Sequence, residues 1–214
     1  MIDIVSIHIP KTGGSSFYEI LKIVYGEDKV IRYNQARYKN VIDSGKTLEQ
    51  DLGSEISVVQ GHLWYKHVKK LIKKNQSKVI IWMRDPIERV ISNYTWWEYR
   101  VRTRPDHPEK YRINEPIEVY ITRKETQNRM YKAIKGLKLK DVYFIGFLEN
   151  FDSDMKELAN KLDWPFIPNS HEKNSKSFTV KPEISDDLKK KIAKLNRRDI
   201  KLFERAKKEK NNKL

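Results

Sequence analysis

The sequence predicts a single α/β domain over residues 1–214, built on a central, mainly parallel β-sheet flanked by helices. Three observations predict it. Short apolar runs of strand character alternate with helical patterns along the chain. Two strand ends pass directly into helix starts, at Pro10 to Ser16 and at Arg84 to Pro86. A length of 214 residues with 38% hydrophobic content suits one well-cored unit, with no linker-like or low-complexity stretch to divide it.

Taken in order, Ile2 to Ile9 alternates and then runs apolar, as a buried strand does, and Pro10-Lys11-Thr12-Gly13-Gly14 breaks it. From Ser15, the residues Phe17, Ile20, Leu21, Val24 and Tyr25 share one helical face, with Gly26 placed to stop that helix. Residues 27–53 are polar and weakly patterned, which predicts loops with room for a short helix. A second strand is expected at Ile56 to Val59, ending at Gln60-Gly61-His62, then a helix over Lys66 to Lys74 through Val68, Leu71 and Ile72. Lys78 to Met83 reads as a third strand that ends at Arg84. Asp85 is a natural N-cap with Pro86 at the first helical position, and Ile87, Val90, Ile91 and Tyr94 continue on one face.

Arg100 to Asn114, rich in charge and proline, reads as a mobile connection, and Glu115 to Lys135 as helices. Val142 to Phe147 is a further buried strand, followed by a helix over about Asp152 to Leu162. Ser185-Asp186-Asp187 caps a long amphipathic helix whose stripe is Leu188, Ile192, Leu195 and Leu202.

The charged content of 34% and mean hydropathy of −0.76 resemble those of disordered chains, but five Trp, eleven Tyr and seven Phe supply a core. The absence of cysteine excludes disulfides, thiolate nucleophiles and Cys-based metal sites, and fits a reducing compartment. Met1 to Pro10 lacks the basic flank of a signal peptide, and no apolar run reaches membrane-spanning length, so the expected location is cytoplasmic. A net charge of +15 implies anionic partners: nucleic acid, a membrane surface, an acidic glycan or a phosphorylated ligand. Much of that charge is diffuse, as in Lys69-Lys70 and Lys189-Lys190-Lys191, and reads as solvated helix face.

In a parallel α/β sheet, ligands bind beyond the carboxyl ends of the strands, where both junctions are expected. In Pro10-Lys11-Thr12-Gly13-Gly14-Ser15-Ser16 the glycines permit close backbone approach, the helix start offers free amides, and Lys11 adds a full charge. That combination suits a phosphate or phosphosulfate. It is not a Walker A loop, because Lys11 precedes the glycines, and this disfavours a nucleotide kinase. At the second junction Arg84 can grip a phosphate bidentately, with Ser92 two helical turns further on. Taken alone, Arg84 is equally consistent with a structural ion pair.

The segment His8-Ile9-Pro10-Lys11-Thr12-Gly13-Gly14-Ser15-Ser16 closely resembles the 5′-phosphosulfate-binding loop of carbohydrate sulfotransferases. Arg84-Asp85-Pro86, with Arg89, Ser92 and Tyr94, resembles their 3′-phosphate motif, in the same order and about seventy residues later. Weaker likeness extends to Gln60-Gly61-His62, Gln127-Asn128-Arg129, the strand Phe144 to Glu149, and the C-terminal helix with Asn196 and Asp199. By pattern the chain is similar to the heparan and uronyl 2-O-sulfotransferase-like group, as a compact, bacterial-type member without a Golgi anchor.

The resemblance implies a P-loop-like sulfotransferase fold. It also implies a donor, 3′-phosphoadenosine-5′-phosphosulfate, with 3′,5′-bisphosphoadenosine as product and no metal. Lys11 would neutralise charge on the leaving oxygen, Thr12, Gly13, Gly14, Ser15 and Ser16 would surround the 5′ end, and Arg84 and Ser92 would hold the 3′-phosphate. His62 would be the general base in direct in-line transfer to a hydroxyl, with Glu98 in reserve. His67 is a poorer candidate, and His8 is expected to support the loop. Trp96, Trp97 and Tyr99 suit either an acceptor cleft or the core. Lys173, Asn174 and Lys176 suit either a loop closing over the donor or a solvated one. The acceptor is expected to be a saccharide or glycoconjugate, anionic ones included, with no membrane span. A basic nucleic-acid-binding protein is the alternative, disfavoured by the two phosphate-type junctions and the lack of a nucleic-acid module.

Overall fold

The computed structural model describes residues 1–166 and 182–212. Four-residue β1 (Ile4–Ile7) enters the core directly, and helix α1 (Gly14–Tyr25) follows the glycine loop. The segment expected to be loop contains an edge strand, β2 (Val30–Tyr33), then α2 (Gln35–Asp43) and α3 (Leu48–Asp51). Four residues with Arg32 among them are too short and too interrupted to show strand periodicity. Both helices are set by side-chain caps, Asn34 accepting from the Arg37 amide and Thr47 from that of Gln50.

β3 (Val58–Gly61) begins two residues after the expected Ile56 and runs through Gln60 and Gly61, which pair with β1, whereas α4 (Tyr65–Asn75) and β4 (Lys78–Met83) fall where the apolar spacing puts them. α5 (Pro86–Thr103) starts at Asp85, whose carboxylate accepts from the Ile87 and Glu88 amides at 2.9 and 3.0 Å. The helix takes Arg100 to Thr103 from the stretch expected to be mobile. The rest of that stretch is tied down: Trp97 Nε1 donates to Glu109 at 2.8 Å, and Lys110 Nζ donates to the carbonyls of Val101 and Arg102. Short α6 (Ile117–Tyr120) and α7 (Arg129–Ile134) lead to β5 (Phe144–Phe147) and α8 (Phe151–Lys161).

The single C-terminal helix expected from the sequence is two, α9 (Asp186–Leu195) and α10 (Arg197–Asn211). The break is at Asn196, whose buried side chain accepts from the Asn128 amide at 2.8 Å and donates to the Ile192 carbonyl at 3.0 Å. An asparagine so engaged competes with helix continuation.

The sheet is wholly parallel in the order β2-β3-β1-β4-β5. Its strands are almost entirely buried because both faces are covered. Ile4, Ile80, Trp82 and Phe144 pack on α1 and α8 through Phe17, Ile20, Leu21, Met155 and Leu158. Val5, Ile7, Val79, Ile81, Met83 and Phe147 meet α4, α7 and α10 on the other face. A third apolar cluster joins α5, α6 and α9 through Val90, Ile91, Tyr94, Trp97, Ile117, Tyr120 and Ile192.

Candidate active site

Central β1 lies between β3 and β4, so the loops leaving these three strands emerge side by side. The backbone ties the first two together: the His8 amide donates to the Gly61 carbonyl, and the His62 amide to that of Tyr33, both at 2.8 Å. Topology alone therefore brings Lys11, His62 and Arg84 to one sheet edge.

Lys11 has a left-handed backbone with φ 71°, a strained setting for a residue with a Cβ. Thr12 anchors the turn beneath it, fully buried, with its hydroxyl donating to the Ile9 carbonyl at 2.9 Å. Gly13 also has positive φ (86°). Gly14 is required for a different reason: a Cβ there would lie 2.0 to 2.6 Å from ring atoms of His8. No side chain among the described residues caps α1, so its first amides, from Gly14 to Ser16, point outward without helical partners.

Lys11 Nζ sits 5.0 Å over the ring of half-exposed Trp96, and Arg84 Nη1 donates to the Lys11 carbonyl at 3.5 Å. Burial, and then the Arg84 charge, lower the Lys11 pKa to about 8. Among the described residues no carboxylate comes within ion-pair distance of Lys11. Arg84 has Glu88 at 3.5 Å, and Glu149 accepts from the Asp85 amide at 2.7 Å, fixing the start of α5. Ser92, two turns into that helix, is half-buried.

His62 stacks on His8 with ring centroids 4.2 Å apart, and its Nδ1 lies 3.1 Å from the His8 carbonyl. A carbonyl can only accept, so Nδ1 carries the proton and Nε2 keeps its lone pair. Burial lowers the His62 pKa below 6.5 against the opposing effect of that hydrogen bond, with Arg32 and Arg129 adding to the lowering. The imidazole is accordingly neutral at pH 7. His8 is held further down by burial and by His62, Arg32 and Lys11, which suits support and not chemistry.

Glu98 lies on α5 and is bound by Arg102, whose Nε and Nη2 reach one carboxylate oxygen at 3.0 and 2.9 Å. His67 stacks on Tyr38 and Trp64. Trp96 and Tyr99 stack on each other at the surface beside Lys11, whereas Trp97 is buried with Tyr94 and Tyr120. Lys173, Asn174 and Lys176 lie outside the described residues.

Two residues were not anticipated from sequence. Arg32 on β2 reaches Ser15 Oγ at 3.2 Å and His8 Nδ1 at 3.4 Å, bridging the glycine loop to the histidine pair. Gln60 Nε2 donates to the Gly14 carbonyl at 2.6 Å. The alternation of Ile31 and Tyr33 around Arg32 is a faint signal for the first, while the second stood within a segment read only for its histidine.

A parallel sheet whose middle strand runs through a glycine loop into a helix with no side-chain cap, with Lys11 and Arg84 at its mouth, is the architecture of α/β proteins that bind anions. The chain belongs to the sulfotransferase family, whose model matches residues 2–205, and so to enzymes of sulfuryl transfer to hydroxyl-bearing acceptors. In fold it is similar to a sulfotransferase from Alicyclobacillus acidocaldarius, at 15% identity and a TM-score of 0.55, covering 93% of this chain and 92% of that one. It is also similar to the mouse sulfotransferase SULT7A1 complexed with PAP, at 16% identity and a TM-score of 0.47, covering 90% and 64% of the two chains. No curated protein matches it. Among the described residues, no helix is long and apolar enough to cross a membrane.

Proposed function

We propose that the protein transfers the sulfuryl group of 3′-phosphoadenosine-5′-phosphosulfate to a hydroxyl of a saccharide or glycoconjugate, as a member of the 2-O-sulfotransferase-like group. The observation that carries this is Lys11: a desolvated cation beside Arg84, at an uncapped helix start, with no carboxylate within ion-pair distance among the described residues. A site built in this way is incomplete without an anion, and the two junctions together suit a ligand with phosphates at both ends of a nucleoside.

The donor supplies an activated sulfuryl group whose bond to the bridging 5′-phosphate oxygen breaks as the bond to the acceptor oxygen forms. Lys11 and the amides of Gly13 to Ser16 would take up the charge left on that bridging oxygen, and Thr12 would hold the turn in shape. Arg84 and Ser92 would hold the 3′-phosphate. His62 Nε2 would accept the acceptor proton, with the His8 carbonyl keeping the ring in the reactive tautomer. Glu98 is the weaker base, because its carboxylate is already engaged by Arg102. The absence of cysteine is consistent with a cytoplasmic setting.

The test is ligand stabilisation followed by turnover. 3′,5′-Bisphosphoadenosine should raise the Tm far more than ATP with magnesium, and Lys11→Ala should abolish most of that rise. Labelled sulfate transfer should fall by about a hundredfold or more in His62→Ala, and much less in Glu98→Ala. Equal stabilisation by both nucleotides would refute the donor assignment, and loss confined to Glu98→Ala would refute the base assignment.

A further inference from the structure

Trp96 and Trp97 are neighbours in sequence and opposites in setting. Trp97 is buried against Tyr94 and Tyr120, whereas Trp96 is 38% exposed, with Lys11 Nζ 5.0 Å over its ring. A large indole at the surface leaves apolar area in water that a core position would remove, so packing does not account for it. Its place on α5 is set from two sides. Ser92 precedes it by four residues on the same helix face, and Tyr99, three residues later, stacks on it with centroids 5.7 Å apart and planes 24° from parallel. One face of α5 therefore carries both a proposed donor ligand and an indole whose plane is fixed.

Lys11 needs a partner of this kind because its charged neighbour is another cation. Arg84 Nη1 donates to the Lys11 carbonyl, and among the described residues no carboxylate comes within ion-pair distance of the Lys11 ammonium. The two carboxylates of α5 are turned to arginines, Glu88 to Arg84 at 3.5 Å and Glu98 to Arg102 at 2.9 Å. A carboxylate in the place of Trp96 would neutralise Lys11 and repel an incoming polyanion. An indole face attracts a cation through the ring quadrupole and adds no net charge. It holds the lysine without cancelling it. An ammonium has three N–H donors and the ring occupies one side of it, so Lys11 can touch the indole and an anionic oxygen at the same time.

We propose that Trp96 is a positioning residue for Lys11, holding the ammonium at the mouth of the glycine loop by cation–π attraction before and during donor binding. The indole takes the place of a counter-ion in the empty site, and it limits the rotamer freedom that Lys11 would otherwise lose when the donor arrives. The inference rests on the donor reading above and adds to it a residue that acts through Lys11.

The experiment is a double-mutant cycle read by calorimetric binding of 3′,5′-bisphosphoadenosine, with Trp96→Leu and Trp96→Phe made in wild type and in Lys11→Ala. Trp96→Leu keeps apolar bulk and loses the ring face, so it should weaken binding about tenfold, and Trp96→Phe, which keeps a smaller face, about threefold or less. In Lys11→Ala neither substitution should weaken binding further. A second readout needs no ligand. Tryptophan fluorescence should show a step as pH rises through about 8, where Lys11 loses its proton, and the step should be absent from Trp96→Phe and from Lys11→Met. Wild-type affinity in Trp96→Leu, a loss of the same size in Lys11→Ala, or a fluorescence step missing from wild type or surviving in Trp96→Phe would overturn the inference. Failure of wild type to bind the bisphosphoadenosine would instead refute the donor reading, and the fluorescence step would then decide by itself whether Trp96 holds Lys11.

Discussion

Lys11 is charged and half-buried beside another cation, so its protonation is easier to lose than that of a surface lysine. The sign of the pH dependence follows. His62 must be neutral to accept a proton, and its pKa is below 6.5, so activity should rise through an acid limb below that pH. In the proposed reaction Lys11 binds the donor in its charged form, and its pKa is lowered to about 8, so kcat/KM for the donor should fall as pH rises through about 8. A bound polyanion stabilises the charged lysine, which should push the alkaline limb of kcat upward at saturating donor. A pH–rate series at low and at saturating donor checks both statements. Gly14→Ala is the second residue-scale prediction. A methyl group placed 2.0 Å from the His8 ring must displace it, and with it the stacked His62, so turnover should fall at least tenfold. Labelled transfer and a melting curve separate this from unfolding. At this scale the sequence displayed the chemistry and not the strain. Lys11, Arg84 and His62 were legible as residue types at strand ends, but φ 71° at Lys11 and the stacking of His62 on His8 arise from tertiary packing that local pattern does not encode.

Elements with long apolar periodicity were legible, and those defined by polar contacts were not. β4 and the Asp85-capped start of α5 coincide with their expected positions because burial on both faces and a capping side chain leave direct traces in residue order. β2 escaped notice because four residues carry too little periodicity, and its Arg32 faces the site. The α9–α10 break escaped because the apolar stripe crosses it without interruption, while the reason for it lies about seventy residues away, at Asn128. Asn196→Ala should therefore cost more than its helical propensity suggests. The substitution leaves the half-buried Asn128 amide without its acceptor, a loss of about 1–3 kcal/mol that urea denaturation would measure. Lys189→Ala, on the exposed side of α9 in a pair with Asp186, should leave the same midpoint unchanged.

For the whole molecule the dominant quantity is the net charge of +15. Surface lysines paired at i,i+3 with acidic neighbours, such as Lys189 with Asp186 and Lys207 with Glu204, contribute little to stability, but the excess positive charge sets a field at long range. The proposed donor is anionic, so that field should speed its encounter with the sheet edge. The expected consequence is a fall of about tenfold in kcat/KM for the donor between low and high ionic strength, with kcat at saturation changing far less. The same charge underlies the competing idea of a nucleic-acid binder, and the two separate cleanly. A nucleic-acid binder should hold oligonucleotides tightly, with a steep salt dependence that Lys11→Ala leaves intact, because dispersed lysines would make the phosphate contacts. A sulfotransferase should bind oligonucleotides weakly, and 3′,5′-bisphosphoadenosine should compete for whatever binding depends on Lys11. Fluorescence anisotropy with a labelled oligonucleotide, over a salt series and in both proteins, decides between them. Tight binding indifferent to the bisphosphoadenosine would make the charge, and not the Lys11 loop, the basis of function.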